Sequence, residues 1–109
     1  MFNGLWTVEF ISTLNRFGYG VIVLNSGRLL GGDNGYYYSG NYEIKDNRIQ
    51  GKVAITRYNP SVISVFGEIN NFSLSLTGHI TSNSIEAVGS FDMKPNLKIK
   101  IICKKKVEL

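Results

Sequence analysis

The sequence predicts an all-β chain folded as an eight-stranded antiparallel up-and-down barrel, in one domain spanning 1–109. Three observations predict it. Apolar residues recur with a period of two rather than 3.6 along nearly the whole chain. About eight such stretches follow one another, separated by short clusters of Gly, Asn, Asp and Ser. Gly40, Gly51, Gly78 and Gly89 each fall on the apolar face of their stretch. Glycine inside a strand ordinarily weakens it. Its repetition on the inner face fits strands that bend sharply around a small closed barrel, with room needed inside. A two-sheet sandwich is the alternative that strand count alone leaves open.

The elements follow in order. Trp6, Val8 and Phe10 share one face of a first strand, with Thr7 and Glu9 on the other. Tyr19 to Leu24 is a β-branched second strand. Asn25-Ser26-Gly27 reads as a hairpin turn into a short third strand from Arg28 to Leu30. The fourth runs from Tyr36 to Lys45, with Tyr36, Tyr38, Gly40, Tyr42 and Ile44 on one face. Asp46-Asn47-Arg48 turns the chain into a fifth strand, Ile49 to Tyr58. Asn59-Pro60-Ser61 interrupts the pattern, and the segment to Asn70 reads as a long loop or one helical turn. Phe72 to Ile80, Ile85 to Phe91 and Leu97 to Lys104 complete the count, each alternating apolar with polar residues.

A chain of 109 residues with 43% hydrophobic and 18% charged residues suits a folded domain rather than a disordered one. The net charge of +4 is uneven. Residues 94 to 106 hold six lysines and no acid, so that stretch carries +6 and the remainder −2. Lys98, Lys100 and Lys104 fall on the alternate face of a strand whose other face is apolar, as on a soluble outer wall. No aromatic residues are interleaved for base stacking, so nucleic acid is the disfavoured partner. Met1-Phe2-Asn3-Gly4 has no basic start or apolar core of an export signal, and no apolar run reaches membrane-spanning length. A cytoplasmic protein with no membrane span is expected. The single cysteine, Cys103, excludes an internal disulfide and reads as a buried, inert thiol.

Chemistry-bearing patterns are sparse. Gly31-Gly32-Asp33-Asn34-Gly35 lacks the Gly-Lys-Ser/Thr ending and the following helix of a phosphate loop, so it reads as a turn. His79 shares a polar face with Ser75 and Thr77, and the acids are scattered. No catalytic residue, metal site or cofactor is expected. Trp6, Tyr38, Tyr42 and Phe91 are the candidate lining of an interior cavity for a small apolar molecule, with the four inward glycines supplying volume. Lys45, Asp46, Asn47 and Arg48 in one turn, and the apolar Val62, Ile63, Val65 and Phe66 in the long loop, are the candidate protein-contact residues.

Asn3-Gly4-Leu5-Trp6 with Val8-Glu9-Phe10, then Gly31-Gly32-Asp33, Tyr38-Ser39-Gly40 and Arg57-Tyr58-Asn59-Pro60-Ser61-Val62 together resemble the GrlR-type negative regulators of type III secretion. Gly4-Leu5-Trp6 is also similar to the Gly-x-Trp signature that opens lipocalin-like barrels. The resemblance implies a calycin-like barrel, a homodimer and an apolar interior. It also implies regulation by binding a helix-turn-helix activator through an exposed acidic loop. In this chain the corresponding interval contains Lys45-Asp46-Asn47-Arg48, two of them basic. The function expected is therefore non-enzymatic regulation through protein–protein contact. A lipocalin-like barrel for small apolar ligands is the alternative.

Overall fold

The computed structural model describes residues 2–13, 15–64 and 69–109. It is all-β, with no helix among the described residues. The strands are β1 (Gly4–Ser12), β2 (Phe17–Asn25), β3 (Arg28–Gly32), β4 (Tyr36–Lys45), β5 (Arg48–Arg57), β6 (Asn71–Ile80), β7 (Ser84–Phe91) and β8 (Lys98–Glu108). Each pairs antiparallel with its neighbour in sequence, and β1 pairs with β8, so the sheet closes into the barrel the glycine pattern predicts.

Alternation decides what faces in. The core includes Val8, Ile22, Tyr38, Val53, Leu74 and Ile99, all buried, while their strand neighbours point outward. Of the three consecutive tyrosines, Tyr36 and Tyr38 are buried and Tyr37 is exposed.

The up-and-down order puts the connections after β1, β3, β5 and β7 at one end of the barrel. The other end holds the termini and three tight turns. One of them, Ser26-Gly27, has positive φ at both residues (51° and 92°), the two-residue geometry whose twist matches paired strands. Packing seals this end. Trp6, Leu24 and Ile80 have 0% exposure. The Trp6 Nε1 donates to the Phe2 carbonyl at 3.1 Å. A register shift between Leu5 and Trp6 in the β1–β8 ladder turns Lys105 over the indole, 5.9 Å from its ring centroid. The Lys105 ammonium is held there by Glu108 at 2.7 Å. Lys98, Lys100 and Lys104 stay on the exposed outer wall.

The inward glycines supply close approach more than volume. A Cβ built on Gly40 would lie 2.2 Å from the Lys52 carbonyl oxygen, and one on Gly78 2.2 Å from that of Glu86. At Gly89 the space is filled by Ile99 and Leu76 side chains. Gly40→Ala and Gly78→Ala should therefore each lower stability by roughly 1–3 kcal/mol, the usual cost of overpacking. The check is a lower urea midpoint at unchanged slope. Wild-type midpoints would show that the neighbouring strands have room to spare.

Candidate functional site: a cavity and the latch at its mouth

The interior is not completely filled. Between the sealed end and the β3–β4 and β5–β6 connections lies an apolar cavity of about 180 Å3. Its wall is built from inward positions of all eight strands, among them Val8, Ile22, Leu29, Tyr42, Val53, Leu74, Ala87 and Cys103. Its mouth is formed by Phe17, Tyr19, Asp33, Asn34, Val62, Ile63 and Ser64. Of the residues the sequence suggested for a cavity, Tyr38 and Tyr42 lie on this wall. Trp6 and Phe91 are buried elsewhere. Trp6 fills the sealed end, and the Phe91 ring packs on Phe72 with centroids 5.3 Å apart. Of the four inward glycines, Gly51 borders the cavity and Gly40, Gly78 and Gly89 do not.

The mouth is organised by one carboxylate. Asp33 follows the last residue of β3, and its Oδ1 accepts the backbone N–H groups of Gly35 at 2.9 Å and Tyr36 at 2.8 Å. That is the turn a short acceptor side chain closes on its own backbone. The Tyr38 hydroxyl donates to Oδ2 of the same carboxylate. Gly20 makes this possible: a Cβ there would lie 2.9 Å from the Tyr38 hydroxyl oxygen. Burial first, and then the hydrogen bond to Asp33 and its negative charge, push the Tyr38 hydroxyl pKa well above its ordinary value of 10.0.

A second segment locks onto the first. The Tyr58 hydroxyl donates to the Asp33 carbonyl. The Tyr58 N–H bonds the Gly35 carbonyl at 2.9 Å, and the Asn59 side-chain amide bonds the Asn34 carbonyl at 3.1 Å. Asn59 Oδ1 accepts the Ser61 N–H at 3.1 Å and hydroxyl at 2.7 Å, and Arg57 donates to the Asn59 and Pro60 carbonyls. Val62 closes over Gly35, where an added Cβ would come within 2.4 Å of its Cγ1. The Tyr36 hydroxyl bonds the Ile69 carbonyl and ties down the far end of the loop.

The other sequence-derived candidates are dispersed. Lys45, Asp46, Asn47 and Arg48 are all exposed, and only two residues link β4 to β5, so this is a tight turn at the sealed end. Val62 is half-buried at the mouth, Ile63 is 56% exposed there, and Val65 and Phe66 lie outside the described residues. His79 is exposed on the outer wall, paired across strands with Glu86. Burial pushes the Cys103 thiol up to about 12, as suits an unreactive cysteine. The sequence places Asp33 in a turn but does not declare its bond to Tyr38. In the structure Gly31 pairs with Tyr38 across the hairpin, which places that ring beside the turn.

Compared with known proteins, the chain matches no family model, and no curated protein matches it.

Tyr38 gives a pH dependence with a definite sign. Its native pKa is raised, so its contribution to stability is complete below the unfolded value near 10 and is lost as pH rises beyond it. Wild type should lose stability more steeply above pH 10 than Tyr38→Phe, which has no ionisable group there. At pH 7 the variant should be less stable by about 1–3 kcal/mol, because a buried donor is removed from the carboxylate. Chemical denaturation at pH 7 and at pH 10 to 11 checks both. Parallel pH profiles for the two proteins would contradict the assignment.

Proposed function

We propose that this chain is a non-enzymatic regulatory protein of the GrlR-like type, acting in the cytoplasm as a homodimer through protein–protein contact. The observation that carries this reading is an uncharged apolar strip on the outside of the barrel. Tyr19 (70% exposed), Val21 (45%), Leu30 (45%) and Tyr37 (49%) project outward from three consecutive strands. The cross-strand register makes them one surface, with Val21 beside Gly32, Gly32 beside Tyr37, and Val23 beside Leu30. Glu9 and Arg28 stand at its rim. A contiguous apolar face with a polar border is the form protein contact sites take.

The residues that carry the family resemblance lend separate support. Gly31-Gly32-Asp33 and Arg57 to Val62 are far apart in sequence and form one latch in space. A shared arrangement of that kind gives the joint appearance of the two motifs a physical reason. The interval that is acidic in the founding members is here a two-residue turn flanked by Lys45 and Arg48. Contact is therefore assigned to the outer apolar face rather than to that turn. The second reading, a barrel for small apolar ligands, is favoured by the cavity of about 180 Å3.

A reporter for type III secretion genes tests the first reading, with sedimentation run on the same proteins. Wild type should lower reporter output and sediment as a dimer. Leu30→Glu, at an exposed position outside the core, should abolish most of the repression, sediment as a monomer and keep the wild-type urea midpoint. A wild-type protein without effect on the reporter, or a Leu30→Glu variant equal to wild type in both assays, would sink it.

A further inference from the structure

The cavity wall is mostly apolar, with Tyr42 and Cys103 among its few polar-tipped residues, and its carboxylate stands at the mouth. Among the described lining residues there is no Lys, Arg or His, and the only carboxylate is Asp33. A molecule entering therefore meets the Asp33 carboxylate and, among the described lining residues, no cation. We propose that the cavity selects its ligand by charge: it takes a molecule the size of a single substituted aromatic ring or short alkyl chain, neutral or positively charged at its polar end, and turns away carboxylates. The proposal rests on the second reading above, that the barrel holds a small apolar ligand, and adds its size and charge.

Size follows from the volume. A dry apolar cavity of roughly 150 Å3 admits one benzene. One of about 180 Å3 has space for a ring bearing a short substituent.

Charge follows from Asp33. A carboxylate has about four acceptor positions. Three are occupied, two at Oδ1 by the Gly35 and Tyr36 N–H groups and one at Oδ2 by the Tyr38 hydroxyl. One position at Oδ2 remains for a donor from a ligand. An ammonium group leaving water regains attraction from Asp33. A hydroxyl loses little. A carboxylate loses its hydration and gains only repulsion.

Three probes with one apolar body separate these cases: 2-phenylethylamine, 2-phenylethanol and phenylacetate, each titrated at pH 7 into the full chain and followed by amide and methyl NMR shifts. The amine and the alcohol should shift signals of cavity residues such as Val53, Leu74 and Ala87. Phenylacetate should bind at least about tenfold more weakly than the amine. Asp33→Asn keeps an acceptor for the turn and removes the charge, and should bring amine and acid to within about threefold. Equal binding of amine and acid by wild type would overturn the charge selection and leave the ligand reading standing. No shift with any of the three would overturn both. The wild-type order of the probes decides the matter even if Asp33→Asn fails to fold.

Discussion

The pairing of β1 with β8 is the interaction on which the rest of the structure depends. Without it the chain would be an open twisted sheet of eight strands with two unpaired edges, each a template for aggregation. With it every strand has two neighbours, and each side chain is committed to the inside or the outside of a closed wall. The closure is made irregular on purpose at one point. The register shift at Leu5/Trp6 turns Lys105 across the indole, and the packed Trp6 end becomes a floor. The remaining volume is displaced toward the opposite end, where longer connections close it less tightly.

At that opposite end one side chain sets the order. Asp33 holds its own turn, receives the hydroxyl of Tyr38 from the barrel interior, and through its carbonyl receives that of Tyr58 from the β5–β6 connection. Two glycines make the geometry available, Gly20 beneath the Tyr38 hydroxyl and Gly35 beneath Val62. A hydrogen-bonded carboxylate at the lip of an apolar cavity does two jobs. It fixes the loops of the mouth, and it sets the charge that an entering molecule meets.

Much of the barrel was legible in the sequence because strand alternation is a local property. Phe72-Leu74-Leu76 and Ile85-Ala87-Gly89 declare their faces without reference to any partner. Strand ends were less legible. Phe17 and Gly18 extend β2 beyond the stretch from Tyr19 to Leu24 that marks it in the sequence, and β8 runs past its regular part through the register shift. The cavity was legible only in part. The fourth strand declares Tyr38 and Tyr42 inward-facing, yet their depth along the axis, and that of Trp6 and Phe91, depends on register, which no single strand encodes. The bond between Asp33 and Tyr38 depends in addition on the missing side chain of Gly20, contributed by a different strand. The outer apolar strip was hidden for a simpler reason. Tyr19, Val21, Leu30 and Tyr37 become one surface only once β2, β3 and β4 are aligned.

The central claim is a barrel with one sealed end and a dry, apolar cavity toward the Asp33 end. Diffraction from a xenon-pressurised crystal tests it most directly, since xenon enters dry apolar cavities of this size. The account predicts xenon density bordered by Tyr42, Val53 and Leu74, and none beside Trp6. An interior without xenon, or one holding ordered water at those residues, would contradict it.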